Sequence, residues 1–153
     1  MARHLLVVHH SRTGATASLR DALLDGVGAA GGDIAVRSAG AFDAGPDDVV
    51  WSEAVVLCTP ANFGYMSGAL KDFFERIYHP CLERTVGLAY ALVVKGDTDV
   101  DGAVTSVERI TAGLRWRPLA PPVVVVGEVT DAARDAAWEL GATVAASLDA
   151  GII

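Results

Sequence analysis

The chain has 153 residues, 52% of them hydrophobic and 20% charged, the balance of a single folded domain spanning 1–153 rather than of a disordered segment. A formal net charge of −7 and a pI near 4.9 argue against nucleic acid or anionic membrane as the main partner. No apolar run approaches the ~20 residues of a membrane span, and Met1-Ala2-Arg3-His4 leads into a strand without a signal-peptide layout, so a cytoplasmic protein is expected.

No repeat, low-complexity tract or linker interrupts the order of elements. His4–His9 reads as a first strand, apolar through Leu5-Leu6-Val7-Val8. It breaks into Ser11-Arg12-Thr13-Gly14-Ala15-Thr16, and a helix follows over about Gly14–Val27, with Ala15, Leu19, Ala22 and Leu23 on one face. A strand that turns into a helix this way makes an anion cradle. The helix start offers unpaired N–H groups and a positive dipole end, and Ser11, Thr13 and Thr16 add hydroxyls. Gly14 lets the backbone approach whatever sits there. Taken alone, the segment is equally an ordinary capped turn. Strand alternation sends His9 and His10 to opposite faces, unsuited to one shared metal.

Gly28, Gly31 and Gly32 mark the helix exit, and Asp33–Arg37 reads as a short second strand. The loop Ala39–Gly45 precedes a brief helix starting near Pro46. Ala54-Val55-Val56-Leu57-Cys58 is a fully apolar third strand. A helix over about Ser67–Tyr78 places Leu70, Phe73, Phe74 and Ile77 on one face, with Lys71/Glu75 and Asp72/Arg76 paired on the other. Leu88–Lys95 is strand four, and Ala103–Leu114 is a helix facing inward through Ala103, Val107, Ile110 and Leu114. Pro122–Val126 is strand five. Thr130 caps a last helix presenting Ala133, Ala137, Leu140, Val144 and Leu148.

Near-continuous apolar strands alternating with helices require a parallel sheet covered on both faces. The expected fold class is α/β: three layers around a doubly wound parallel five-stranded sheet of order 2-1-3-4-5. Its ligand crevice lies outside the carboxyl ends of strands 1 and 3. The loop after strand four, Asp97-Thr98-Asp99-Val100-Asp101-Gly102 with Glu108 beyond, satisfies a written calcium-loop pattern. That pattern belongs between two helices, whereas Ala91-Leu92-Val93-Val94 precedes it here as a strand. A solvated acidic loop capping the next helix is the expected reading, and no metal site is assigned. Cys58 ends an apolar strand and reads as buried and inert, and nothing marks Cys81 for catalysis. No Gly-x-Ser-x-Gly elbow, Cys-x-x-Cys pair or lysine-bearing phosphate loop is present.

After strand three comes Thr59-Pro60-Ala61-Asn62-Phe63-Gly64-Tyr65-Met66-Ser67-Gly68, running into Ala69-Leu70-Lys71-Asp72-Phe73-Phe74. This segment resembles the one that flanks the flavin ring in the flavodoxin-like NAD(P)H-dependent FMN reductases and quinone reductases, written Thr-Pro-x-x-x-Gly-x-Met-Ser-Gly-x-x-Lys-x-Phe. The first loop is similar to their phosphate site, Ser-x-Thr-Gly-x-Thr. The resemblance extends over nearly the whole chain and implies a flavodoxin-like fold. It implies FMN as cofactor, with NADH or NADPH as electron donor and a quinone or similar small molecule as acceptor. The flavin carries that chemistry, so no catalytic side chain is named.

By the same resemblance Ser11, Arg12, Thr13, Gly14, Ala15 and Thr16 hold the phosphate. Pro60, Ala61, Asn62, Phe63, Gly64 and Tyr65 flank the ring, with Phe63 and Tyr65 as faces or edges and the amides of Asn62, Phe63 and Gly64 as ring contacts. Lys95-Gly96-Asp97 occupies the third contact position, with Gly96 and Asp97 as the contacts. Arg12 either pairs with the phosphate or points outward, and His10 either touches the cofactor rim or is structural. The acidic third loop departs from the family's glycine-rich turn; negative charge beside the ring is expected to lower the potential below that of free FMN. Related reductases often complete the nicotinamide pocket from a second subunit, so a homo-oligomer is expected. Two other readings stand beside this one: a flavodoxin-type one-electron carrier between redox protein partners, and a flavin-free regulatory binding domain. Carriers usually stack the ring between Trp and Tyr in the ring loops, and Trp51, Trp116 and Trp138 lie outside them.

Overall fold

Side chains alternate across a strand, so an all-apolar strand needs cover on both faces. The computed structural model, which describes residues Met1–Ile153, provides that cover with helices on both sides of one sheet. In chain order the elements are β1 (Arg3–His9), α1 (Ala15–Ala29), β2 (Ile34–Gly40), α2 (Pro46–Trp51), β3 (Ala54–Asn62) and β4 (Tyr65–Met66). Then come α3 (Gly68–Cys81), β5 (Ala89–Gly96), α4 (Asp101–Gly113), β6 (Arg117–Pro118), β7 (Val123–Val126) and α5 (Asp131–Asp149). The strands lie in the order β2-β1-β3-β5, and β6 and β7 together fill the last position beside β5. All of these pair in parallel. Counted by position, this is the expected 2-1-3-4-5 doubly wound sheet.

The two cores divide by strand parity. Leu6, Val8, Val55, Leu57, Leu92 and Val94 face α3 and α4, packing with Phe73, Phe74, Ile77 and Val107. Leu5, Val7, Val56, Cys58, Ala91 and Val93 face α1 and α5, packing with Leu19, Leu23, Leu140, Val144 and Leu148. Each fully buried leucine contributes about 2 kcal/mol. Helices α1 and α5 touch through backbone: a methyl on Gly26 would overlap the Trp138 carbonyl, and one on Gly141 the Leu23 carbonyl.

Two departures from the sequence reading shape the upper edge of the sheet. First, β3 does not end at Cys58 but runs on through Thr59, Pro60 and Ala61 to Asn62, then folds back as β4. β1 stops at His9, opposite Cys58, so the extension has no neighbour on that side and a proline without an N–H is tolerated there. Pro60 lies beside Lys95 of β5. A notch is left over the end of β1. Second, the fifth strand is split. Pro118, Pro121 and Pro122 lack donors, and only the Leu119 N–H bridges the gap, donating to the Tyr90 carbonyl at 2.8 Å.

Candidate functional site

The notch is built first from the turn after β1. Gly14 sits at the N-cap of α1 with φ +94°, a left-handed conformation that suits glycine. The Ser11 hydroxyl accepts hydrogen bonds from the N–H groups of Gly14 (3.1 Å) and Ala17 (3.2 Å), which holds the turn open. The N–H groups of Arg12 and Thr13 donate to no protein acceptor. Those of Ala15 and Thr16 open the helix and have no intrahelical partner.

All four of these residues line a cleft of about 320 Å³, closed on its other sides by Pro60, Ala61, Asn62, Lys95, Gly96 and Asp97. Three segments remote in sequence therefore converge at the carboxyl ends of β1, β3 and β5. Arg12 is exposed and makes no ion pair. Lys95 pairs with Asp97 at 2.8 Å, and this hydrogen bond and charge hold the Asp97 carboxyl below its ordinary value. Gly96 is required by proximity: an added Cβ would stand 2.8 Å from Val100 Cγ1 and 2.9 Å from Ala61 Cβ. Four residues with free backbone N–H groups, two threonines and one unpaired cation, Arg12, suit a phosphate-like anion, with room for an attached polar chain.

Nine of the expected site residues thus meet at this cleft: Arg12, Thr13, Ala15, Thr16, Pro60, Ala61, Asn62, Gly96 and Asp97. Ser11 and Gly14 shape the turn but border a second cleft behind it. Phe63, Gly64 and Tyr65 do not line the first cleft. Asn62 pairs with Tyr65, leaving a two-residue turn in which Phe63 (φ +53°) and Gly64 (φ +68°) are both left-handed. Phe63 is fully exposed at the tip, and Tyr65 is turned toward α3 and α4. Lys95, the first residue of the third contact segment, also lines the cleft; its strand position beside Pro60 appears only once the register is known.

Several residues of the long motif act as folding devices. The Thr59 hydroxyl, fully buried, donates to the Pro60 carbonyl at 2.8 Å and accepts from the Ser67 N–H at 3.1 Å. Ser67 caps α3 by accepting from the Leu70 N–H at 3.1 Å, and the Met66 N–H donates to Ser106 Oγ at 3.2 Å. These bonds fix where the hairpin stands over the sheet.

The second cleft, about 400 Å³, is lined by His9, His10, Arg20, Phe42 and Asp43 among others. Both histidines border it, contrary to simple alternation, because β1 ends at His9 and His10 already belongs to the turn. Arg20 Nη1 donates to His9 Nδ1 at 3.2 Å. Burial first, and then the Arg20 charge, push the His9 pKa below 6.5. His10 meets Phe42 edge-on at 6.2 Å. The acidic loop forms no ligand cluster: Asp97 is paired with Lys95, Asp99 leans toward Gly64, and Asp101 lies in the first turn of α4. Cys58 is fully buried, with its thiol pushed up to about 12, and burial also raises the Cys81 thiol.

Among solved structures, a flavodoxin from the domain Archaea superposes with a TM-score of 0.82 at 16% identity, covering 95% of this chain and 98% of that one. A flavodoxin, WrbA-like protein from Agrobacterium tumefaciens gives 0.76 at 16% identity, covering 94% and 96%. Two-electron reduced Megasphaera elsdenii flavodoxin gives 0.76 at 21% identity, covering 92% and 98%. No protein-family model matches the chain, and no curated protein matches it at a significant level.

Proposed function

We propose, starting from a fold that is flavodoxin-like, that the chain binds FMN in the cleft between the Ser11–Thr16 turn, the end of β3 and the Lys95–Asp97 segment. The observation that carries this reading is the set of backbone donors at Arg12, Thr13, Ala15 and Thr16, all bordering one cleft and held by the Ser11 hydroxyl. These groups suit a dianionic phosphate, with Arg12 as an unpaired cation beside them. Ala61, Asn62 and Gly96 bring backbone close on both sides of the remaining space. FMN, once bound, supplies reversible transfer of one or two electrons. The chain's own residues then position it, with Lys95 and Asp97 setting the local field.

In the finer reading, NADH or NADPH is the donor and a quinone-like small molecule the acceptor, which the segment from Thr59 to Phe74 supports by its resemblance to the reductases. For a quinone the exchange balances as NAD(P)H, one proton and quinone giving NAD(P)⁺ and hydroquinone. A one-electron carrier is the second reading. Phe63, fully exposed at the hairpin tip beside the cleft, favours it as a contact for a redox partner.

An FMN fluorescence titration in low-phosphate buffer tests the cofactor: saturable quenching with sub-micromolar affinity is expected, and no binding by folded protein would remove the reading. Anaerobic mixing of the FMN-loaded protein with NAD(P)H then divides donor-dependent enzyme from carrier. Rapid bleaching near ~450 nm is the enzyme's result.

A further inference from the structure

Helices α3 and α4 cover the same face of the sheet and leave a furrow between their outer sides. Two clefts of about 500 and 420 Å³ meet there, sharing Lys71 and Ile110 as walls. The upper one begins at Tyr65 and includes Thr105 and Arg109; the lower continues past Phe74 and Tyr78. Much of this wall is carbon: aromatic rings, Ile110 and the stems of Lys71 and Arg109.

Its cations are poorly claimed. Arg109 makes no ion pair and no side-chain hydrogen bond, and Lys71 reaches Glu75 only at 3.9 Å. In a chain of net charge −7, the upper cleft sets these two cations against one carboxylate, Asp101. The lower cleft adds Glu75, the loose partner of Lys71, so Arg109 is the cation left without a paired counter-charge. Asp101 lines the same cleft but stands two turns away from Arg109, about 12 Å along α4.

The furrow also abuts the cofactor cleft. Tyr65 is the ladder partner of Asn62, and Asn62 lines the other side. Paired positions in a hairpin are about 5 Å apart. One hairpin's thickness separates the two spaces.

We propose that this furrow is a binding site for a planar aromatic molecule carrying an anionic group, with Tyr65 and Ile110 flanking the ring and Arg109 and Lys71 taking the charge. It deepens the redox reading, on which it rests for the use of such a molecule as the small acceptor. Anthraquinone sulfonate is a suitable probe, followed by amide NMR in FMN-saturated and FMN-free protein. Saturable shifts at Tyr65, Lys71, Thr105, Arg109 and Ile110 are expected in both samples. The double variant Lys71→Gln/Arg109→Gln is expected to weaken the sulfonate about tenfold, as for one lost charge-assisted hydrogen bond, and the uncharged hydroxymethyl analogue less than about twofold. FMN affinity should be unchanged, since neither residue lines the cofactor cleft. Shifts centred on Asn62 and Lys95, or equal losses for charged and neutral probes, overturn the site even when FMN binds. Failure of FMN to bind overturns the cofactor reading instead, while the FMN-free titration still decides the furrow.

Discussion

At the tip of the β3–β4 hairpin Phe63 holds a left-handed backbone, φ +53°, with its ring wholly in solvent. An aromatic in a loop beside a crevice reads as a wall for a flat ligand, yet the two-residue turn lifts it clear of the cleft and into solvent. Nothing in the one-letter string reveals that Asn62 and Tyr65 pair, and that pairing decides where Phe63 goes. A bulky residue at φ +53° is strained, and here no packing offsets the strain. Phe63→Asn should raise stability by about 0.5–1 kcal/mol and Tm by about 2 °C. If Phe63 contacts a redox partner, the same variant slows electron transfer to that partner while melting later; a lower Tm would refute the strain. His9 makes the second prediction. Its neighbours include Arg20, Asp21, His10 and Asp43, and burial with Arg20 keeps its folded pKa below 6.5. The unfolded chain takes up that proton first as pH falls. His9's contribution is therefore complete above pH 6.5 and is lost as pH drops through the folded value. Tm measured against pH should decline less steeply below 6.5 in His9→Gln than in the parent, and parallel curves would sink the assignment.

At the scale of elements, helices and inner strands were legible because burial writes a period into them: 3.6 residues for α3 and unbroken apolarity for β1, β3 and β5. The ends were not. Thr59-Pro60 reads as a loop because proline is excluded from most strands, and it is a strand here only because β1 stops one pair earlier. The fifth strand reads as one unit at Pro122–Val126, although a separate pair, Arg117–Pro118, begins it. The α1–α5 contact was also hidden. Gly141 gives no amphipathic signal, yet its missing side chain is what lets the helix reach the Leu23 carbonyl. Gly141→Ala should cost about 2 kcal/mol and lower Tm by about 6 °C. Gly28→Ala, with open space around the added methyl, should not lower it.

For the molecule as a whole, the rhythm of strands and helices implies a parallel sheet covered on both faces. Its order and the place of its crevice came from matching five such units to the flavodoxin-like arrangement, since other doubly wound orders share that rhythm. The cleft's first loop was legible too, since its chemistry is backbone chemistry and needs only the right residues after a strand. Its field was less so. For FMN bound as proposed, the acidic third loop predicts a lowered potential, but Lys95 meets Asp97 at 2.8 Å and offsets part of that charge. A midpoint below that of free FMN remains the expectation for a chain of net charge −7, and Asp97→Asn should raise it. Salt should narrow the gap. A midpoint above free FMN at low salt would contradict the reading.

The carbonyl of Gly64 rests where a side chain on Gly102 would begin, so the hairpin tip and the first turn of α4 lean on each other with no slack. The spacing of the two loops beside the cleft is thus set like a feeler gauge, by the absence of a single methyl group. Gly102→Ala would act as a shim between them, altering the gap without changing any group that lines the cleft proposed for FMN. The width of the cleft and its chemistry become separately adjustable, and a series of sizes at position 102 would measure how much of the grip on the proposed cofactor is fit alone.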